Sequence, residues 1–162
     1  MIVRAWVGLG GNLGDVSACF RSALAALDAT DGISLVRVSR RYRTPAWGVT
    51  DQPDFINAVA ELATTLAPLE LLAALQATER AHGRDRAREQ RWGPRTLDLD
   101  LLAMEGVVLD MPNLQLPHQR AAERAFVMVP WAEIAPGLDV PGVGLIDALA
   151  AALDRSGIEA IP

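Results

Sequence analysis

Two carboxylates and a crowd of arginines are the residues of this chain best suited to chemistry. Asp98 and Asp100 stand two apart in the apolar run TLDLDLL at 96–102. On a β-strand they would leave the same face with Cα atoms roughly 6.6 Å apart, a spacing that suits a shared metal site. Leu97, Leu99 and Leu101 would then point into a core on the other face and hold the strand in register. Just upstream, Arg80, Arg84, Arg86, Arg88, Arg91 and Arg95 fall within sixteen residues that hold only two acids, Asp85 and Glu89. Cations beside metal-binding carboxylates point to a polyphosphate substrate. Spacing alone leaves two bland readings open: the wet face of an edge strand for the aspartates, and a solvated run for the arginines.

Composition narrows the chemistry further. The chain has 162 residues, one cysteine, two histidines and no lysine, so every cation is arginine. Without lysine a Walker A loop, a protein-kinase site and a Schiff-base enzyme are all excluded. With only Cys19, His82 and His118, a Cys/His zinc centre is excluded as well, and Cys19 reads as a core residue of a helix. Oxygen ligands and Mg²⁺ are the chemistry that remains. The formal charge of −5 argues against general nucleic-acid binding, and 51% hydrophobic content is ample for one core. No apolar run is long enough to cross a bilayer, so the expectation is a soluble, cytoplasmic protein of one domain over 1–162.

The elements that would position these residues are legible as patterns. Residues 2–9 read as a first strand, GGNLGD as a turn, and 15–29 as a helix with Phe20, Leu24 and Leu27 at helical spacing. Residues 33–43 read as one long strand and 54–64 as another, with an irregular proline-containing loop between them. Pro68 opens a helix that Gly83 ends; the arginine-rich loop covers 84–95, and the DLDLL strand follows. A hairpin through Glu105-Gly106, a helical stretch within 120–135 and a short helix near 146–154 complete the chain. Strand, helix, strand, strand, helix, strand is the order of an α+β fold of ferredoxin-like βαββαβ type, an antiparallel sheet covered by helices, here with a C-terminal addition.

Other motifs stay open on residues alone. GLGGNLG at 8–14 lies between strand and helix, but Leu13 stands where the dinucleotide fingerprint needs glycine. It is either a tight turn or a turn lining a pocket. Trp92, between charged residues and Gly93-Pro94, either packs on the domain or closes over a ligand. His118 is either a packing residue or a phosphate contact, and Phe55 and Phe126 are either core or ligand-facing.

Taken together, GGNLG, YRTPAWG at 42–48, DQPDFINAV at 51–59, RWGPRTLDLDLL at 91–102, LPH at 116–118 and RAFVMVP at 124–130 resemble one family. It is the 6-hydroxymethyl-7,8-dihydropterin pyrophosphokinases of folate biosynthesis, and the resemblance covers nearly the whole chain. It implies transfer of the β,γ-diphosphate of ATP to the pterin hydroxymethyl oxygen, with release of AMP and with two Mg²⁺ ions holding the triphosphate. By that resemblance Asp98 and Asp100 are the metal pair, and Arg84 and Arg95 meet the triphosphate as catalytic residues. Gln76, Glu79, Trp92 and His118 fall at ATP-site positions, and Thr44, Phe55, Asn57, Arg124 and Phe126 at pterin-site positions. The segments 45–50 and 84–94 would close over the substrates, and no residue stands out as a general base, which suits a transfer driven by positioning and charge. The implied partners are these two small molecules, with no nucleic acid, no membrane and a monomeric chain.

The chain departs from that pattern at several positions. Gly11 replaces a common serine, Ala46 a second proline, Trp47 an aliphatic, Asn113 a basic residue and Gln119 a tyrosine. The rival enzyme is a Mg²⁺-dependent nucleotide hydrolase using the same aspartates to activate water. The rival binder is a ferredoxin-like RNA module, which 5% aromatic content and a negative charge oppose.

Overall fold

The computed structural model describes residues 1–46, 51–84, 93 and 96–162. In chain order the elements are β1 (Val3–Gly11), α1 (Val16–Asp28), β2 (Ile33–Val38), β3 (Tyr42–Thr44), β4 (Phe55–Thr64), α2 (Pro68–Ala81) and β5 (Asp98–Met104). A small ladder β6 (Leu109–Met111) and β7 (Leu114–Leu116), a 3₁₀ turn Ala121–Glu123 and α3 (Ala125–Ile134) follow. The chain ends through β8 (Asp139–Val140), β9 (Gly144–Leu145), α4 (Ile146–Ala152) and β10 (Glu159–Ala160).

The main sheet is antiparallel throughout and runs β10, β3, β4, β1, β5, with β2 also beside β4. Alternation along β1 divides the interior in two. Ala5, Val7 and Leu9 face a core with Phe20, Leu24 and Leu27 of α1, Leu71 and Leu75 of α2, and Leu99 and Leu101 of β5. Trp6 faces the opposite side with Val59, Met128, Trp131, Ile134 and Ile146. The C-terminal third therefore covers the second face of the sheet. A bulge opposite Trp6/Val7 gives β5 one extra residue, and Leu102 and Ala103 both join this second core.

Local chemistry explains the helix ends. Asp15 accepts the Ala18 amide at the start of α1, and Val16, Phe20, Ala23, Leu24 and Leu27 form its buried stripe. Pro68 opens α2, Glu70 accepts the Ala67 amide, and Gly83 at φ +87° lets the chain leave the helix in a left-handed turn.

Two expectations need correction. The strand expected over 33–43 is interrupted at 39–41, because the Arg40 amide leaves the ladder to donate to Glu133 on α3 (2.6 Å) while the Ser39 hydroxyl accepts from Val59. The segment after Glu105-Gly106 does not fold back on β5; β6 pairs with β7 instead, turning at Pro112-Asn113. The helical stretch expected within 120–135 is present as a 3₁₀ turn followed by α3, and the short final helix is α4, ending at Ala152.

Candidate functional site

Antiparallel register brings the reactive residues to one face of one end of the sheet. Asp98 lies opposite Gly10, Gly10 opposite Asn57, and Asn57 opposite Tyr42. In the next row on that face Asp100 lies opposite Gly8, and Gly8 opposite Val59. Directly opposed residues share a face, so the two half-buried carboxylates stand beside a strip of β1 that carries no side chain. Leu97, Leu99 and Leu101 are buried on the other face. The apolar residues thus hold β5 while its carboxylates stay reachable.

Space for a side chain is tight at Gly10 on this strip and absent at Gly11, which faces the other side, while Gly8 would meet only Leu102 at 3.5 Å. A Cβ at Gly10 would lie 3.0 Å from Asn57 Oδ1 and 3.9 Å from Asp98 Cβ, and one at Gly11 would lie 2.7 Å from the Thr96 carbonyl oxygen. The departure at Gly11 therefore has a physical correlate: β1 and the entry to β5 approach more closely than a serine would permit.

A buried charge network anchors the metal-site end. Glu79 on α2 is only 2% exposed and Arg84 8% exposed. The Arg84 guanidinium donates to Glu79 Oε2 (2.9 Å), Asp98 Oδ1 (2.6 Å) and the Leu97 carbonyl (3.3 Å). Glu79 Oε2 also accepts the Leu99 amide at 2.8 Å. Glu79 thus ties helix, arginine and strand together just where Asp98 leaves the sheet. Gln76 lies one turn earlier on α2 and is exposed.

On the other flank, Asn57 donates to Thr44 Oγ1 at 2.9 Å, and both are buried. That bond uses an Asn57 N–H and leaves Thr44 its own hydroxyl proton, so the pair can offer an amide acceptor and a hydroxyl donor to a ligand edge. Phe55 stands opposite Thr44 and is half-buried; Phe126, at the start of α3, is half-buried with the Arg124 guanidinium 5.8 Å from its ring centre. Both rings therefore keep part of their surface exposed, Phe126 while also packing against the second core.

His118 follows the cis Leu116–Pro117 peptide, and its amide donates to Leu102 O at 2.8 Å. Burial, aided by the positive charge of Arg124, pushes its pKa below the ordinary histidine value against the opposing pull of Asp98. The imidazole is therefore a neutral hydrogen-bonding group near pH 7.

The structure brings Arg84, Asp98, Asp100, Glu79, His118, Asn57, Thr44, Phe55, Arg124 and Phe126 to one end of the fold; Trp92, Arg95 and Trp47 lie outside the described residues. Asn12 was missed by reading the sequence. It is 5% exposed and donates to Gln52 Oε1 and the Pro53 carbonyl, both at 2.9 Å, so it staples the glycine-rich turn to the segment entering β4. An amide side chain within GGNLG was the available signal.

The donor set suits a hard cation. Two carboxylates share an open face, and among the described residues there is no group of three or more His, Cys, Asp or Glu side chains that would cage a metal. That fits Mg²⁺, which takes few protein ligands and keeps water or substrate oxygens for the rest.

Residues 6–136 match the family described as 7,8-dihydro-6-hydroxymethylpterin-pyrophosphokinase (HPPK). A 2-amino-4-hydroxy-6-hydroxymethyldihydropteridine pyrophosphokinase of Methylorubrum extorquens is 49% identical over 160 residues, covering 99% of both chains. One of Pseudomonas aeruginosa is 46% identical over 162 residues, covering 100% of this chain and 99% of the relative. Among solved structures, wild-type Plasmodium falciparum HPPK-DHPS superposes with a TM-score of 0.69 at 13% identity, over 93% of this chain and 41% of that longer one. At that identity the superposition speaks for the fold alone.

Proposed function

We infer what this chain does from the premise that it belongs to the 7,8-dihydro-6-hydroxymethylpterin-pyrophosphokinase family. It transfers the β,γ-diphosphate of ATP to the hydroxymethyl oxygen of 6-hydroxymethyl-7,8-dihydropterin and releases AMP, a step of folate biosynthesis. The observation that carries this reading at the level of the site is the shared face: Asp98 and Asp100, the bare Gly8 and Gly10, and Asn57 with Thr44 form one continuous surface. One end of it suits a metal-bound polyphosphate, and the other a flat ring with a polar rim.

In this reading Asp98 and Asp100 would hold two Mg²⁺ ions, which would supply neutralisation of the triphosphate charge. Arg84, fixed by Glu79, places positive charge beside Asp98 and offsets charge on the departing AMP oxygen. Arg95 and Trp92 act with it. Glu79 contributes to the ATP site through its grip on Arg84 and Leu99, and Gln76 from the same helix. His118, kept neutral, donates to a phosphate oxygen. Phe55 and Phe126 sandwich the pterin, Thr44 and Asn57 read its edge, and Arg124 lies over Phe126 on the pterin side. Excluding water keeps the pterin hydroxyl as the acceptor.

The strand order β3, β4, β1, β5, with α1 and α2 on one face, supports a ferredoxin-like βαββαβ unit. We read the chain as one domain working as a cytoplasmic monomer. Among the described residues no helix is long and apolar enough to cross a membrane. The test is ³¹P NMR of ATP and Mg²⁺ with and without 6-hydroxymethyl-7,8-dihydropterin. AMP and a pterin diphosphate formed only with pterin is the expected result. ADP would mean attack at Pγ, and AMP without pterin would favour the nucleotide hydrolase.

A further inference from the structure

Tyr42 and Glu133 are 91 residues apart in sequence and belong to opposite walls of the pterin slot. Tyr42 opens β3, is 4% exposed, and stands directly opposite Asn57. Two residues further along the same strand face is Thr44, which accepts the hydrogen bond from Asn57. Glu133 lies on α3, seven residues after Phe126; two helical turns return it to the same side of the helix, roughly 10 Å further along the axis.

The Tyr42 hydroxyl donates to Glu133 Oε1. Glu133 also accepts the Arg40 amide at 2.6 Å and the Arg40 Nε–H at 3.0 Å, and Arg40 Nη2 donates to the Tyr42 hydroxyl at 3.3 Å. The Arg40 guanidinium lies 5.7 Å from the Tyr42 ring centre. Burial pushes the Glu133 carboxyl up, but the bonds from Tyr42 and Arg40 more than offset it and keep the group an ionised acceptor. Burial and the bond to Glu133 raise the Tyr42 hydroxyl, which therefore stays a donor.

We propose that Glu133 and Tyr42 are positioning residues that set the spacing between the Thr44/Asn57 wall and the Phe126 wall, and so determine how tightly the pterin is held. The inference rests on the pterin assignment made above. The rest of α3 meets the sheet through apolar side chains such as Met128, Trp131 and Ile134 against Trp6 and Val59. Apolar packing tolerates small shifts of a helix, whereas hydrogen bonds are directional and fix it. The backbone makes the same point, since the break between β2 and β3 arises where the Arg40 amide turns from the ladder to Glu133. A clamp serving only stability would not need to interrupt the strand that carries Thr44. In this reading these groups belong to the pterin side of the site, so the effect should appear on one substrate alone.

The experiment uses the full chain with Tyr42→Phe, Glu133→Gln and the double variant. Binding of 6-hydroxymethyl-7,8-dihydropterin is measured by pterin fluorescence and calorimetry, alongside KM for each substrate, kcat and thermal melting. Tyr42→Phe keeps the ring in the core and should raise the pterin Kd and KM about tenfold, the worth of one good hydrogen bond, with the ATP KM and kcat within about twofold. Glu133→Gln retains an acceptor for the Arg40 amide and should fall between wild type and Tyr42→Phe. The double variant should be no worse than the worse single one, because both remove the same link. Unchanged pterin affinity in Tyr42→Phe, or equal loss for ATP and pterin tracking a fall in melting temperature, would overturn the clamp while leaving the pterin assignment intact. A wild-type chain that binds no pterin would overturn the assignment and the clamp together.

Discussion

The two ends of the β1–β5 ribbon each carry an arginine–glutamate pair, yet the pairs do different things. At the far end Arg4 and Glu105 meet at 3.1 Å with side chains 49% and 45% exposed. Glu105 lies below the usual carboxylate range chiefly because it accepts the Arg4 amide. At the site end Arg84 and Glu79 meet at 2.9 Å with side chains 4% and 2% exposed, and the same guanidinium reaches Asp98. The first pair is screened by water and closes a strand end. The second is shielded, so losing one partner strands a charge in the interior. Burial, more than residue type or distance, decides whether a charge pair is decoration or scaffold.

The largest expected effect is at the carboxylates facing the bare strip. Asp98→Ala or Asp100→Ala should reduce Mg²⁺-dependent turnover about a thousandfold or more, on the scale of losing a central electrostatic contact. The check is steady-state kinetics with circular dichroism to establish folding; near-normal turnover in both would remove the metal assignment. Next comes Glu79→Ala, which leaves Arg84 buried with a partner missing and the Leu99 amide without its acceptor. A loss of about 3–5 kcal/mol in urea unfolding is expected, as for other broken buried pairs. A loss under about 1 kcal/mol would erase the contrast between the two ends.

His118 should sharpen the comparison through pH. Its folded pKa lies below the unfolded value, so the unfolded chain binds the proton more readily. Stability from this group is full above the unfolded pKa of about 6.5 and falls as pH drops towards the folded value. Between about pH 6.5 and pH 5 a His118→Gln variant should therefore lose less stability than wild type in metal-free urea titrations. Parallel curves would show that His118 is solvated. The smallest effect belongs to Arg4→Ala, expected within about 1 kcal/mol and shrinking further at high salt.

Local pattern made much of this protein legible. Alternation in TLDLDLL placed both aspartates on one face, and Gly83 marked the end of α2, because strand and helix periods and a left-handed turn are written in adjacent residues. The break at Ser39–Arg41, the β6–β7 pairing and the addition of β10 to the edge beside β3 were not legible. The break and β10 each depend on a partner far along the chain, Glu133 for the Arg40 amide and the Arg41 carbonyl for the Ile161 amide, whereas β6 and β7 pair locally across Pro112-Asn113.

The sequence by itself determined the chemistry available to this protein: oxygen ligands without lysine, carboxylates in strand register, and motifs specific enough to mark the family. Only the tertiary structure decided that Glu79 would be buried as the anchor of Arg84 and Leu99, that Gly8 and Gly10 would set a strip without side chains beside the carboxylates, and that Tyr42 would meet Glu133. The physical reason is that periodicity is a property of neighbours. Burial and hydrogen-bond satisfaction are settled by whichever distant residues the fold brings alongside.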